Sequence, residues 1–300
     1  MQPFHQYTPS ESGLISIVLP CYNEEEAVEK VVGDIRAVMD QITDWKYEVL
    51  VVDDCSTDST VAIVEKMPNV RLVRHRQNQG SGASRRTGII NAKGEIIIML
   101  DADGTYEPKT IPKMLKYFPD YDQVNGARTS EKGTLKLLRT PAKWVLRQLA
   151  IFISGHHIPD LNTGLKAFKR DVMLKYLWVM PDGFSCVTSM TLAFLANGHP
   201  VKYVPTPYYK RIGVSKFHPI VDSSKYFITI LRMMTFYKPL RVYMPIAGFM
   251  ILLGILNGFY NLFLSEAHTL QESDIILICV GMLLGGIGLL AELIVSQRKA

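Results

Sequence analysis

The sequence predicts an α/β domain with a doubly wound sheet, followed by two membrane-spanning helices. Three observations support this fold class. Apolar stretches of strand length alternate with stretches in which apolar residues recur at helical spacing. Polar residues follow the predicted strands directly, as they do at the ligand-binding edge of an open α/β sheet. From about Tyr243 onward the chain becomes far more apolar than the part that precedes it.

The N-terminal half supplies the strand and helix alternation. Strands are predicted at 14–20, 47–52, 70–73 and 96–100, because these runs are apolar and rich in β-branched residues. Helices are predicted at about 27–39 and 59–66, and Asn23 is a plausible N-cap for the first of them. A glycine-rich loop at 78–88 leads into a further helix before the strand at 96–100. This order is that of a doubly wound sheet.

Two aspartates, Asp101 and Asp103, end the apolar run at 96–100. Residues i and i+2 of an extended backbone point the same way, so the two carboxylates would repel each other unless a cation lies between them. Carboxylate oxygens suit Mg²⁺ or Mn²⁺. The pair therefore predicts a metal site that holds a diphosphate. A solvated Asp-rich turn is the alternative that this motif alone leaves open.

Two other strand ends carry side chains that suit a nucleotide. Pro20, Tyr22 and Glu24 could frame a base, and Asp53 could accept hydrogen bonds from a base or a ribose. The fingerprint of an NAD-binding Rossmann domain is missing after the first strand, and there is no Walker A sequence. The sequence therefore argues against a dinucleotide-binding dehydrogenase and against a P-loop NTPase.

Composition restricts the class of protein further. The 300 residues carry a net charge of +5, a mild excess that suits a membrane surface or an anionic substrate, and no nucleic-acid motif is present. None of the four cysteines forms a C-x-x-C pair, which predicts a reduced compartment. Residues 1–12 are polar, so no cleaved signal peptide is expected.

The motifs at the strand ends, taken together, resemble those of inverting glycosyltransferases of family 2. The resemblance rests on the segments 20–24, 51–56 and 101–103 and covers roughly residues 14–216. It implies a GT-A fold, the Rossmann-like fold of nucleotide-diphospho-sugar transferases. It also implies that Asp101 and Asp103 bind Mg²⁺ or Mn²⁺. The residues that the resemblance assigns to nucleotide binding are Pro20, Tyr22, Glu24, Val52, Asp53 and Ala102.

Two features indicate the acceptor. Many family 2 enzymes that act on hydroxyl groups carry an acidic base in the region that matches 183–198, whereas residues 185–191 contain no carboxylate here. A hydroxyl acceptor usually needs a general base, and a phosphate, already an anion, does not. The segment 209–217 also resembles the R-x-x-x-S-K stretch of polyisoprenyl-phosphate glycosyltransferases. That resemblance makes Arg211 and Lys216 candidates for phosphate binding, although a basic loop facing anionic lipids remains an alternative.

A further arginine and two amphipathic segments follow the glycosyltransferase motifs. Arg128 ends a predicted strand at 124–128 and is a candidate phosphate ligand, with an ordinary surface arginine as the alternative. The basic and apolar segment 140–157 suits either a helix at a membrane surface or a buried helix. Residues 219–237 are predicted to form an amphipathic helix that lies in the membrane interface.

The C-terminal part contains two apolar stretches of spanning length, at about 244–264 and 275–295. The short link between them predicts a hairpin. Lysines and arginines lie before the first span and after the second, and none lies in the link, so the catalytic domain is expected to face the cytoplasm. Two G-x-x-x-G patterns, at 254–258 and 281–285, would allow close helix contact within one chain or between copies in a homo-oligomer.

The sequence thus predicts a three-part, multi-pass enzyme of the inner or endoplasmic-reticulum-type membrane. The parts are a catalytic domain at 1–216, an interfacial region at 217–242 and a transmembrane hairpin at 243–300. The expected reaction moves a sugar from a UDP-sugar or GDP-mannose to undecaprenyl or dolichyl phosphate. The residues expected to carry it out are Asp101, Asp103, Arg128, Arg211 and Lys216. Two alternatives stay open, namely transfer to the hydroxyl of a glycan or glycolipid, and a membrane scaffold that kept only the fold.

Overall fold

The structure is a computed structural model. It describes residues 10–129, 144, 146–152, 154–213, 219–265 and 269–297. The chain forms two compact units, Met1–Ile230 and Leu231–Ala300. The division into three parts that the sequence predicts, with boundaries at 216 and 242, stays a prediction.

The first unit contains a mixed sheet in the order β3-β2-β1-β4-β6-β5-β7. Its strands are β1 (Glu11–Cys21), β2 (Lys46–Asp53), β3 (Val70–Arg74), β4 (Gly94–Met99), β5 (Gln123–Arg128), β6 (Lys166–Lys169) and β7 (Val201–Thr206). The strands β1 to β4 are parallel to one another. β6 runs antiparallel to both of its neighbours, β4 and β5, and β7 pairs with β5 in parallel. The carboxyl ends of β1, β2 and β4 therefore lie at one edge of the sheet.

Both faces of the sheet are buried, which explains the unbroken apolar runs. In β1, Ile15, Ile17 and Leu19 belong to one buried cluster, and Val18 belongs to the cluster on the other face. Successive side chains of a strand point to opposite faces, so a strand covered by helices on both sides is mostly apolar. Ser16 is a buried polar residue of β1, and its hydroxyl donates to Glu48 Oε1 at 2.6 Å.

Helices cover the sheet in this unit. They are α1 (Val28–Met39), α2 (Thr60–Glu65), α3 (Ser81–Asn91), α4 (Ile111–Leu115), α5 (Arg170–Leu174) and α6 (Cys186–Ala196). The prediction that Asn23 caps α1 is wrong, because the N-cap residue is Ala27 and its side chain makes no capping bond. Within the predicted segment 140–157, residues 146–152 are helical. The amphipathic helix α7 (Pro219–Tyr237) has the bounds that the sequence predicts.

The second unit contains α8 (Leu240–Phe263) and α9 (Glu272–Gln297), which are long and apolar enough to cross a membrane. Glycines let the two helices pack closely. A Cβ atom at Gly254 would lie 2.7 Å from Ile278 Cγ1, and one at Gly281 would lie 2.6 Å from Ile251 Cγ1. These glycines serve contact within one chain, and the predicted homo-oligomer stays a prediction.

The turn of the hairpin contains a buried acid with several donors. Asp274 accepts hydrogen bonds from Asn257 Nδ2 at 2.6 Å, Asn261 Nδ2 at 3.0 Å and the Gln271 backbone N–H at 3.0 Å. The sequence places Asp274 in the link, whereas the structure places it in the first turn of α9. Acids are favoured at a helix N-terminus, where the backbone N–H groups leave a partial positive charge.

Candidate active site

A cavity of about 290 Å³ opens at the carboxyl ends of β1, β2 and β4. Its wall includes Pro20, Tyr22, Glu24, Asp54, Asp101, Ala102, Phe184 and Arg211. The cavity therefore brings together five residues that the sequence assigns to the site at the ends of β1 and β4, namely Pro20, Tyr22, Glu24, Asp101 and Ala102. Arg211, from a distant segment, joins them. The position matches the crevice in which open α/β sheets bind ligands.

Hydrogen bonds tie the loop after β1 to the loop after β2. The Asn23 backbone N–H donates to Ser56 Oγ at 2.9 Å, and the Glu24 N–H donates to Thr60 Oγ1 at 2.8 Å. In return, Asn23 Oδ1 accepts from the Thr57 N–H at 2.8 Å. Asn23 has a φ of 52°, a left-handed conformation that asparagine tolerates better than most residues. Its side chain therefore fixes one wall of the cavity instead of capping a helix.

The end of β2 presents Asp54 to the cavity. Asp54 Oδ1 accepts from the Gln79 N–H at 2.9 Å and lies 2.7 Å from His75 Nδ1, while Oδ2 accepts from the Gly80 N–H at 2.8 Å. Sequence reasoning did not select this residue, although the adjacent pair of aspartates was visible. Asp54 holds the glycine-rich loop against the end of β2.

Val52 and Asp53 lie beneath the cavity surface. Val52 is fully buried in the cluster between the sheet and α3, and the buried Asp53 carboxylate accepts from the Ser56 N–H at 3.2 Å. The nucleotide contacts that the sequence assigns to these two residues stay predictions.

Asp101 pairs with a buried arginine. The Arg85 Nη2 atom donates to Asp101 Oδ1, and Arg85 Nη1 bonds to the Ser81 hydroxyl. Burial raises the pKa of the Asp101 carboxyl, while the guanidinium of Arg85 acts in the opposite direction. Sequence reasoning missed Arg85, because it placed residues 78–88 in a loop, whereas the structure is helical from Ser81 and Arg85 lies one turn into α3.

Asp103 has a different arginine as its partner. Arg211 Nη2 lies 2.5 Å and Nε 2.7 Å from Asp103 Oδ2, and the Glu24 carboxylate is 3.9 Å from the same guanidinium. Asp103 Oδ1 accepts from the Thr105 hydroxyl at 2.6 Å. The side chain of Asp103 is only 4% exposed, whereas that of Arg211 is 25% exposed.

The two aspartates lie in a turn, because β4 ends at Met99. The rule for neighbours on an extended strand therefore does not apply to them, and each carboxylate takes its own guanidinium. Their charges still act on each other, since Asp103 raises the pKa of Asp101. Mg²⁺ is commonly bound by one or two carboxylates together with phosphate oxygens of a substrate. Asp101 and Asp103 fit such a site, although the described residues contain no cluster of three or more His, Cys, Asp or Glu side chains.

The segment that carries Arg211 is fixed along the turn after Asp103. The Tyr209 N–H donates to the Thr105 carbonyl at 2.9 Å, and the Ile212 N–H donates to the Asp103 carbonyl at 3.0 Å. These bonds place Arg211 beside the aspartates. Lys216, the other cation predicted in this segment, lies outside the described residues.

Arg128 contacts an acid from the segment before β6. Its Nε and Nη2 atoms donate to the two oxygens of Asp160, at 2.6 and 2.8 Å, and its guanidinium lies over the ring of Tyr208 at 5.3 Å. Arg128 lowers the pKa of Asp160, which burial alone would raise. The phosphate contact predicted for Arg128 stays a prediction.

The glycine-rich loop packs against a second chain segment. The Gly82 N–H donates to the Asp182 carbonyl at 2.6 Å, and a Cβ atom at Gly80 would lie 2.6 Å from the same carbonyl oxygen. Neither position has room for a side chain. The glycines therefore bring the segment that contains Phe184 to the edge of the cavity.

The side chains are neutral or basic in the region where many family 2 enzymes that act on hydroxyl groups carry an acidic base. On α6, Thr188 Oγ1 donates to Asn162 Oδ1 at 2.8 Å. Lys166 is fully buried, and its Nζ donates to Thr191 Oγ1 at 2.6 Å and to Asn125 Oδ1 at 3.3 Å. Burial lowers the pKa of Lys166 to about 7. The described part of α6 thus offers hydroxyl groups and no carboxylate.

Comparison with known families identifies the family to which the chain with this cavity belongs. The sequence profile of glycosyl transferase family 2 matches residues 16–177, more than half of the chain. The chain belongs to glycosyl transferase family 2. A second profile, the GtrB C-terminal hairpin, matches residues 238–296. The family and the hairpin predicted from the sequence are therefore confirmed, and the protein is a glycosyltransferase.

Some relatives of this family 2 transferase are named after a lipid phosphate. The dolichyl-phosphate hexose transferase of Haloferax volcanii is 31% identical over 212 residues, which cover 70% of this chain and 89% of that protein. The glycosyltransferase AglJ of the same organism is 27% identical and covers 95% of both chains. The dodecaprenyl-phosphate galacturonate synthase of Rhizobium johnstonii is 27% identical, covering 70% of this chain and 63% of that protein.

Solved structures confirm the GT-A fold of this family 2 transferase. Glucosyl-3-phosphoglycerate synthase from Mycobacterium tuberculosis, in complex with Mn²⁺, UDP and glucosyl-3-phosphoglycerate, superposes with a TM-score of 0.55. The match covers 73% of this chain and 79% of that chain at 19% identity. Identity at this level shows a common fold.

Proposed function

We propose that this family 2 enzyme transfers a sugar from a nucleotide-diphospho-sugar to a polyisoprenyl phosphate at the cytoplasmic face of a membrane, with inversion. The observation that carries the proposal is the absence of a carboxylate from residues 185–191, beside a cavity that has the donor-binding motifs. A phosphate acceptor needs no general base. The relatives named for dolichyl-phosphate and dodecaprenyl-phosphate transfer support the same class of acceptor.

The donor nucleotide is proposed to bind in the cavity at the strand ends. Pro20, Tyr22, Glu24 and Ala102 line that cavity. Val52 and Asp53 support its wall from beneath, and the nucleotide is either UDP or GDP. Transfer to the anomeric carbon then requires the acceptor phosphate to approach opposite the leaving diphosphate, which gives inversion.

Asp101 and Asp103 are the residues that would hold Mg²⁺ or Mn²⁺. When bound, such an ion acts as a Lewis acid that stabilises the charge of the leaving diphosphate. Arg211 already lies beside Asp103, so its guanidinium can reach the same phosphates. Arg128 and Lys216 are proposed to bind donor or acceptor phosphates as well. Charge-assisted hydrogen bonds from cations to phosphate are among the stronger polar contacts in proteins.

The membrane orientation is proposed from charge. Lys238 and Arg241 lie at the start of the hairpin and Arg298 and Lys299 at its end, whereas the link has acids and no lysine or arginine. Positively charged ends remain in the cytoplasm. The catalytic unit precedes the first span and would therefore face the cytoplasm too.

The decisive experiment compares two acceptors that differ only in charge. The purified full-length protein is incubated with radiolabelled UDP- and GDP-sugars, Mn²⁺, and either a polyprenyl phosphate or the matching polyprenol. We expect transfer to the phosphate and little to the alcohol. Equal or better transfer to the alcohol would refute the phosphate acceptor and favour a hydroxyl acceptor.

A variant in the same assay tests whether transfer depends on the proposed metal site. Asp103→Asn should retain the fold and lose nearly all transfer, because a neutral amide binds a divalent cation far more weakly than a carboxylate. Unchanged turnover of a folded Asp103→Asn protein would remove the metal site from the proposal. No transfer by the unmodified protein to either acceptor, with any donor, would refute the proposed reaction.

A further inference from the structure

The part of the amphipathic helix α7 that belongs to the first unit, up to Ile230, has two different faces. Asp222, Tyr226, Thr229 and Ile230 are buried. Their spacing of four, three and one residues places them on one side of a helix. The opposite side carries Phe227 and Ile228, which are 43% and 54% exposed. One face of α7 therefore packs on protein, and the other presents large apolar side chains.

The inner face of α7 is hydrogen-bonded to the segment that lines the donor cavity. Tyr226 Oη donates to the Phe184 carbonyl at 2.9 Å, and Thr229 Oγ1 donates to Ser185 Oγ at 2.9 Å. Burial raises the pKa of Tyr226 well above its ordinary value, so the phenol keeps the proton that it donates. The bond from Thr229 is buried and the bond from Tyr226 is partly buried, and the loss of a partner is costly where solvent does not replace it.

The other side of the same segment is held by α3. The Gly82 N–H bonds to the Asp182 carbonyl at 2.6 Å, and Arg86 Nη1 donates to the Met180 carbonyl at 2.9 Å. Residues 180–185 are thus held between α3 and α7, and Phe184 from this segment forms part of the cavity wall. A shift of α7 would move Phe184, because the two are joined through a backbone carbonyl.

The outer face of α7 fits a lipid surface. The helix ends at Tyr237, and the first apolar span begins only three residues later, at Leu240. The chain must therefore reach the edge of the bilayer at the end of α7. Exposed phenylalanine and isoleucine side chains on such a helix are typical of burial at the boundary between headgroups and acyl chains.

We propose that α7 couples the membrane to the donor cavity. Its outer face rests on lipid, and Tyr226 and Thr229 on its inner face are positioning residues that hold Phe184 in the wall of the nucleotide site. This inference rests on the proposed function, because the cavity concerned is the proposed donor site. The ligand affected is the nucleotide diphosphate of the donor, and the acceptor is not affected directly.

Two conservative variants test the positioning role. Tyr226→Phe and Thr229→Val each remove one hydroxyl group and preserve side-chain volume. Thr235→Val is the matched control, because among the described residues the Thr235 hydroxyl donates to the Arg232 carbonyl, within the same helix. The full-length proteins are placed in nanodiscs of zwitterionic and anionic phospholipid, and binding of UDP and of GDP with Mn²⁺ is measured by calorimetry.

We expect each variant to weaken nucleotide binding by roughly twofold to tenfold, the usual net effect of one hydrogen bond. The KM for the donor sugar should rise by a similar factor, while the KM for the lipid phosphate stays unchanged. Thr235→Val should match the unmodified protein. A purely structural role would instead lower the active fraction, reducing kcat and leaving both KM values unchanged. Unchanged nucleotide affinity in both variants would overturn the positioning role.

The membrane contact is tested separately. A nitroxide attached at Ile228→Cys should be accessible to oxygen and protected from a water-soluble nickel reagent in nanodiscs, whereas a nitroxide at Lys66→Cys, an exposed position after α2, should show the reverse. Equal exposure to the nickel reagent at both positions would overturn the lipid contact. Failure of the unmodified protein to bind any nucleotide would instead count against the proposed function, so the two failures are distinguishable.

Discussion

Replacing Arg211 tests whether its guanidinium competes with the proposed metal ion for Asp103 and binds the donor phosphates. The Nη2 and Nε atoms of Arg211 lie 2.5 and 2.7 Å from Asp103 Oδ2, an oxygen that the proposed metal would also need. A divalent cation that binds alone must therefore compete with a guanidinium. When the donor binds, the same guanidinium can turn to a phosphate. Arg211→Gln removes the positive charge and keeps a polar side chain.

The size of the effect follows from the contact. A hydrogen bond to a charged group contributes about 1.5–3 kcal/mol, or roughly tenfold to a hundredfold in affinity. Arg211 is 25% exposed, so the lower part of that range applies. We expect Arg211→Gln to bind Mn²⁺ alone about tenfold more tightly than the unmodified protein. It should bind the nucleotide diphosphate with Mn²⁺ about tenfold more weakly. The two changes have opposite signs.

Free Mn²⁺ is measured by electron paramagnetic resonance during titrations of the full-length protein, with and without UDP or GDP. Lys210→Gln is the control, because it removes a neighbouring exposed cation. An unchanged or lower affinity of Arg211→Gln for Mn²⁺ in the absence of nucleotide would refute competition between the Arg211 guanidinium and the cation. The same pair of changes in Lys210→Gln would also refute it, because it would indicate a general effect of charge.

Three further predictions concern the fold around the site and the membrane. In Gly82→Ala the new Cβ would lie 2.8 Å from the Asp182 carbonyl carbon, so the affinity for nucleotide should fall severalfold in the same titration. Gly33→Ala is the control and should leave the affinity unchanged, because that position has open space around it. Burial lowers the pKa of Lys166 to about 7, so between pH 7 and pH 10 the unfolded chain binds more protons than the folded chain. The free energy of unfolding should therefore rise by about 1.4 kcal/mol per pH unit relative to Lys166→Met. A constant difference in thermal unfolding between the two proteins would contradict the lowered pKa. Ser265→Cys should react with an impermeant thiol reagent from outside intact cells, and labelling only after lysis would mean that the orientation is wrong.

The strands, the spans and the family could be read from local sequence. β1, β2 and β4 contain the apolar runs 17–19, 49–52 and 96–99, which precede Pro20, Asp53 and the turn that carries Asp101, because strands covered on both faces tolerate few polar residues in their middle. The two spans follow from uninterrupted apolar length. The helix α7 has its predicted bounds, Pro219–Tyr237.

Long-range pairing decided what the local pattern does not contain. β6 is four residues long with a lysine at each end, and it becomes a central strand only because β4 and β5 provide partners on both sides. Asn23 resembles a helix cap, but its side chain bonds instead to the loop after β2. Spacing along a chain carries no information about which distant loop will arrive beside it.

The candidate site shows the same division. The sequence determined that Asp101 and Asp103 lie in the turn after a buried strand, and the structure places Asp101 in the cavity wall. Only the tertiary structure decided their partners, Arg85 from α3 and Arg211 from a segment more than a hundred residues away. A buried carboxylate requires a counter-charge, but the cation that supplies it depends on how helices and loops pack around the sheet, and that arrangement exists only in the folded chain.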